Sequence, residues 1–164
     1  MDWQNWYKLK SLARAGWLRN GIEHPESVAA HSWGVALLCH EHCPDHLNRE
    51  RVLQLAIIHD LPEVYVGDIT PHDGISQEKK HFLEMQAAQN FLPEKTYAIW
   101  LEYLENQSPE ARFVHAIDKI DMALQARFYE DEYKIDGKEF LQSAQKALGQ
   151  EWQYLWSIVE NGIK

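Results

Sequence analysis

Cysteine is nearly absent from this 164-residue chain: only Cys39 and Cys43 are present. Two thiols four residues apart on a predicted helix make no disulfide framework, which sets aside the small secreted scaffolds that depend on one. Long apolar runs are missing too. No stretch approaches the ~20 residues of a membrane span, so no membrane partner is expected. The stretch Met1-Asp2-Trp3-Gln4-Asn5-Trp6 lacks the charged-then-apolar layout of a secretory leader, and the expected location is cytoplasmic. Basic charge is also short. Lys and Arg total 16 against 25 Asp and Glu, a formal net charge of -9, with no Lys/Arg run. That balance argues against a nucleic-acid partner. An acidic protein that handles an anionic substrate needs a local device, such as a metal ion or a few placed cations.

Strand-like alternation is the last absence, and what remains reads as helix. Hydrophobic residues make up 45% of the chain, enough to build one core and one domain over residues 1–164. Trp3, Trp6, Tyr7, Leu9 and Leu12 fall near a helical repeat and predict a helix to about Ala13. Gly16 and Arg19-Asn20-Gly21 interrupt it. Pro25-Glu26-Ser27 opens a helix from Val28 to about Cys43, where Pro44 stops it. Asn48 caps a third through His59 and Asp60. Pro62 bends or restarts the chain, Gly67 ends that turn, and 70–74 is loop. Ser76, Pro93 and Ser108-Pro109-Glu110 open helices to about Phe91, Leu104 and Tyr129. Asp136 with Glu139 resembles a capping box for a helix to Leu148. Residues 150–159 form a last, aromatic-rich helix. The expected fold is all-α and compact, with about six to eight helices and no tidy four-helix-bundle layout.

Chemistry concentrates in Ala56-Ile57-Ile58-His59-Asp60-Leu61-Pro62-Glu63-Val64-Tyr65-Val66-Gly67-Asp68. An apolar run delivers His59 and Asp60 side by side, and Glu63 returns to the same end of that surface. His31 and Asp118 are likewise embedded in apolar sequence, on the second helix and on the long helix after Pro109. Buried imidazoles and carboxylates require partners. Two of each, converging from three helices, suit one divalent ion such as Zn, Mn, Co, Fe or Mg, with positions left for water and substrate. Each residue alone has an ordinary structural explanation; the ordered set His31, His59-Asp60, Asp118 carries the reading. A rival lies in Cys39-His40-Glu41-His42-Cys43-Pro44-Asp45-His46, but its spacing matches no closed zinc motif and Pro44 breaks the helix. Its cysteines are expected to pack inward and its histidines to be wet. His24, His72, His81 and His115 show no evident partners, and Lys79 and Lys80 read as a solvated face.

The stretches Arg14-Ala15-Gly16-Trp17-Leu18-Arg19-Asn20, Pro25-Glu26-Ser27-Val28-Ala29-Ala30-His31-Ser32, His59 through Pro71, and Ala116-Ile117-Asp118-Lys119 together resemble the HD-domain metal-dependent phosphohydrolases. More narrowly, the chain is similar to their bacterial 5′-deoxynucleotidase branch. The resemblance implies an HD-type helical domain and usually a homodimer. It implies a single divalent metal (Co, Mn, Mg, Fe, Ni or Zn) on His31, His59, Asp60 and Asp118. It implies a small-molecule nucleotide substrate, a (deoxy)ribonucleoside 5′-monophosphate split to nucleoside and phosphate by metal-activated water. Glu63, by resemblance and by spacing, transfers the proton. Asp68, aimed by Gly67, faces the 3′-hydroxyl. Arg14 aligns with a substrate-contacting Arg, and Arg19 is a second phosphate contact. In that branch a Trp follows the Arg directly; here Ala15 follows, and Trp17 is the substitute contact. Two rival functions are a nucleotide hydrolase releasing triphosphate or pyrophosphate and a metal- and nucleotide-binding module without turnover.

Overall fold

The computed structural model describes residues 3–162. In chain order its helices are α1 (Trp3–Lys8), α2 (Ala15–Arg19), α3 (Val28–His42), α4 (Arg49–Ile58), α5 (Glu63–Val66), α6 (Gln77–Phe91), α7 (Glu94–Glu105), α8 (Pro109–Tyr133), α9 (Lys138–Ala147) and α10 (Trp156–Asn161). Tight 3-10 turns lie at Pro71–Asp73 and Gln150–Leu155. The fold is all-α, as expected, with six helices of ten residues or more. Among the described residues the extended pairing is a single isolated bridge, Ala13 to Ser27.

Side-chain caps set the starts of the long helices. Ser27 accepts from the Ala30 N–H, Asn48 from Arg51, Ser76 from Lys79 and Ser108 from Ala111. Each satisfies one of the orphan donors of a first helical turn. Gly67 closes α5 at φ 83°, ψ 166°, a conformation open to glycine and costly for other residues.

Several local expectations change, among them the helix over 150–159, which divides into the Gln150–Leu155 turn and α10. The first helix ends at Lys8, not near Ala13. The carbonyls of Leu9 and Leu12 accept from the N–H groups of Ala29 and Val28, so the chain leaves helical geometry to serve the first turn of α3. Residues 15–19, expected as a break, form α2, whose first N–H is capped by Asp68 at 2.6 Å. The expected Asp136–Glu139 capping box is absent: α9 starts after Gly137, Asp136 accepts from the Lys138 N–H, and Glu139 turns to Arg19 and His72.

The main core lies between α3, α4 and α8, with α9, α10 and the 150–155 turn closing one side. Ala111, Ala116 and Ala123 are buried on α8 in this core, and their small side chains let α3 and α4 approach it closely. Cys39 and Cys43 point into this core, while His40, Glu41, His42 and His46 are exposed. The dense His/Cys stretch at the end of α3 therefore gathers no ligand set. A second cluster joins α1, α6 and α7 around Trp100. A third, Trp17 with Ile22, Tyr129 and Phe140, fixes α2 against α8 and α9.

Candidate active site

The packing of α3 and α4 on α8 brings together residues far apart in sequence. His31 is in the first turn of α3, His59 and Asp60 follow the last turn of α4, and Asp118 lies midway along α8. Asp60 Oδ2 lies 3.1 Å from His59 Nε2 and 3.6 Å from His31 Nε2. Asp118 Oδ1 is 3.1 Å from His31 Nε2. These approaches are close but not aligned as hydrogen bonds: Nε2 of both buried rings has no hydrogen-bond partner. The other nitrogen of each ring does. His59 Nδ1 is 2.8 Å from the Ala56 carbonyl, and His31 Nδ1 is 2.7 Å from Asp121 Oδ2. With Nδ1 engaged, each ring aims its Nε2 inward, the orientation of a metal-ligating imidazole.

His31, His59 and Asp60 form a group that could hold a metal ion; Asp118 lies outside that group and beside it, in contact with His31. Two imidazole nitrogens and the Asp60 carboxylate, with the Asp118 carboxylate beside them, suit a divalent ion. The electrostatics are those of a tightly packed charged cluster. Burial alone would raise the Asp60 pKa, but His59, His31 and Arg14 outweigh it and hold the carboxyl well below the usual range. Burial and Arg14 push His31 down, yet Asp118 and Asp121 raise it to about 9. Arg14 Nη1 is 3.4 Å from Asp60 Oδ2, and Lys119 Nζ is 2.7 Å from Asp118 Oδ2.

A cavity of about 410 Å³ opens beside this cluster. His59, Asp60, Glu63, Asp68 and Asp118 line it, with Arg14, Lys80, Tyr103 and Lys119; Arg19, His72 and Glu139 also line it. Glu63 is buried, with Oε1 3.9 Å from Lys80 Nζ and Oε2 without a partner. Burial, then Asp60 and Asp68, push its pKa well above the carboxylate range. A shift in that direction favours the protonated form, which suits a proton donor beside a charged cluster. Asp68 uses Oδ2 to accept the Ala15 N–H, which leaves Oδ1 for other work.

The remaining expected contacts are placed unevenly. Arg14 is held at the site by its own backbone, whose N–H donates to the Glu26 carbonyl. Trp17 is 1% exposed, stacked near Phe140, and its indole N–H donates to Glu26. It offers the cavity an apolar edge and no free donor. Arg19 is ion-paired with Glu139, which also takes His72 at 2.7 Å. His72 and His115 thus have partners that the sequence did not reveal; His115 stacks on Tyr103 and reaches its carbonyl. Lys80, expected in a solvated face, instead bridges Glu63, Glu84 and the Ile69 carbonyl. Asp121 was missed. Its one signal is the three-residue spacing from Asp118, which puts both carboxylates on one face of α8.

Known proteins bear on this geometry. The HD domain family matches residues 6–156. The chain is 39% identical over 145 residues to a 5′-deoxynucleotidase of Schizosaccharomyces pombe, an alignment covering 82% of this chain and 72% of the relative. It is 40% identical over 131 residues to 5′-deoxynucleotidase HDDC2 of Mus musculus, covering 76% of this chain and 66% of the relative. The chain thus spans about two thirds of the length of such relatives. A crystal structure of a Pyrococcus horikoshii protein superposes with a TM-score of 0.82 at 34% identity, covering 96% of this chain and 94% of that one.

Proposed function

The chain belongs to the HD-domain family, and on that premise we propose that it is a metal-dependent phosphomonoesterase that converts deoxyribonucleoside 5′-monophosphates to nucleoside and phosphate. The observation that carries this reading is the pair of buried, partnerless Nε2 atoms of His31 and His59 facing Asp60 and Asp118, next to a cavity lined by Glu63. His31, His59, Asp60 and Asp118 would hold one divalent ion, with Co, Mn, Mg, Fe, Ni and Zn all compatible with the ligand set. An ion bound there supplies charge neutralisation for phosphoryl oxygens and a lowered pKa for water.

The rest is done by the chain. Water oxygen forms the new bond to phosphorus as the bond to the sugar 5′-oxygen breaks, and that leaving oxygen needs a proton. Glu63, whose pKa burial raises, donates it and is reprotonated by the proton that the attacking water gives up. Arg14, which retains donors beyond its contact to Asp60, binds a phosphoryl oxygen. Asp68 Oδ1 accepts from the 3′-hydroxyl, and the Trp17 edge bounds the sugar. Arg19, at the cavity rim, reaches a phosphoryl oxygen with guanidinium donors that its contact to Glu139 leaves over.

The cations around the cavity favour a monophosphate over a triphosphate. Arg14, Lys119, Lys80 and Arg19 each already face a carboxylate, so no free basic cluster awaits two further phosphates. Product identification from a panel of nucleotides against added Co, Mn and Mg tests this. Inorganic phosphate from dAMP is expected; tripolyphosphate from dATP would move the assignment to the rival hydrolase, and binding of nucleotide with no product at all would make this a binding module.

We also read the protein as a cytoplasmic homodimer. No described helix is long and apolar enough to cross a membrane. Trp33 (68% exposed) and Leu37 (45%), one turn apart on α3, leave apolar surface for a second copy to cover. Light scattering should return twice the 19.2 kDa chain mass; a value of one chain mass would contradict the dimer.

A further inference from the structure

Helix α8 reaches His31 from both sides of its ring. Asp118 Oδ1 is 3.1 Å from Nε2, and Asp121 Oδ2, one turn on, is 2.7 Å from Nδ1. His59 needs no such help, because its Nδ1 is tied to the Ala56 carbonyl of its own helix. His31 has no equivalent backbone partner, so its orientation depends on a side chain from another helix.

That side chain has a prepared place. A Cβ built on Gly34 would fall closer to Asp121 Oδ1 than real Cβ contacts come, with Asp121 Cγ at 3.1 Å. Gly34 lies three residues after His31 on α3, so the same face of the helix carries both the ring and the gap that admits the carboxylate. Glu26 also approaches the ring, with one oxygen in the same group as His31 and Asp121, but its Oε1 already accepts from the Trp17 indole.

We propose that Asp121 is the positioning residue of the metal centre. Its carboxylate accepts the Nδ1–H of His31, fixes the tautomer that leaves Nε2 as ligand, and occupies a space kept open by Gly34. This rests on the metal reading above and adds to it a residue outside the ligand set and the substrate pocket. Outer partners of metal-bound imidazoles typically govern affinity by about 10- to 100-fold. The substitution at Gly34 is a sharp probe, because the atom it displaces is the end of a flexible side chain and not backbone.

The test is Zn and Mn titration calorimetry on wild type, Asp121→Asn, Gly34→Ala and the double variant. Melting of the metal-free proteins checks folding, and the ¹⁵N and proton signals of His31 are recorded in the Zn-loaded proteins. Both single variants should fold, still take one ion per chain, and bind it about 10- to 100-fold more weakly. The His31 Nδ1-bound proton should shift in both. The double variant should be no weaker than the worse single, since both changes act through one contact. Single variants that bind like wild type overturn the proposal. So does a wild-type stoichiometry of two that falls to one in Asp121→Asn, which would make Asp121 a ligand of a second ion. A wild type that takes up no ion would instead sink the metal reading itself, and this proposal with it.

Discussion

Burial and the nearby carboxylates of Asp60 and Asp68 raise the pKa of Glu63, against a weak pull from Lys80 at 3.9 Å. A carboxyl raised in the folded state contributes stability below its ordinary pKa of about 4.3, and that contribution is lost as pH rises through the folded value. Glu63→Gln removes the ionisation and keeps the shape. Its melting temperature relative to wild type should therefore climb between pH 5 and pH 9, by about 2–4 °C for each kcal/mol. Turnover should drop by about 10²- to 10⁴-fold, with metal and nucleotide binding retained. Paired melting and kinetic pH series read both effects, and wild-type turnover in the variant would remove Glu63 from the proton-transfer role. The place of this residue beside His59 and Asp60 was legible in sequence, from its offset to them. Asp121 was not, because an Asp on a long amphipathic helix looks like any solvated Asp until α3 is packed against it. Trp17 was legible as a residue of interest but not as a core residue, since Tyr129 and Phe140 reach it from more than a hundred positions away.

At the scale of elements, local chemistry marked the helix starts well. Ser27, Asn48, Ser76 and Ser108 all cap as their side chains predict. The misplaced ends are those whose hydrogen bonds are settled at a distance. Helix α2 is too short to form alone and is capped from Asp68, 53 residues on; Lys8 ends α1 because the following carbonyls belong to α3. The turn α5–Gly67–Asp68 links these effects, because it aims Asp68 both at α2 and at the cavity. A Cβ on Gly67 would meet nothing within 4 Å, so the cost of Gly67→Ala is backbone strain alone, about 1–3 kcal/mol. The variant should melt lower and show a raised KM with a smaller change in kcat, as Asp68 swings off both partners. Thermal melts with steady-state kinetics check this, and an unchanged KM would mean that Asp68 does not touch substrate.

Taken whole, the molecule is three helices that cross so that four ligand candidates from distant sequence meet, enclosed by shorter elements that carry the proposed substrate contacts. The net charge of -9 is opposed locally by Arg14, Lys80 and Lys119, each held against a carboxylate of the cavity. Such an arrangement neutralises the site without making it a general anion trap, and leaves the attraction of a phosphate to depend on a bound cation. His31, His59, Asp60 and Asp118 are proposed to form a catalytic metal site for a nucleoside monophosphate. The most direct test of this is phosphate release from dAMP by protein stripped with chelator, before and after one equivalent of Co or Mn is returned. No release is expected from the stripped protein and recovery on adding the ion, with His59→Ala inactive throughout. Full activity in the stripped protein, or none with any ion, would contradict it.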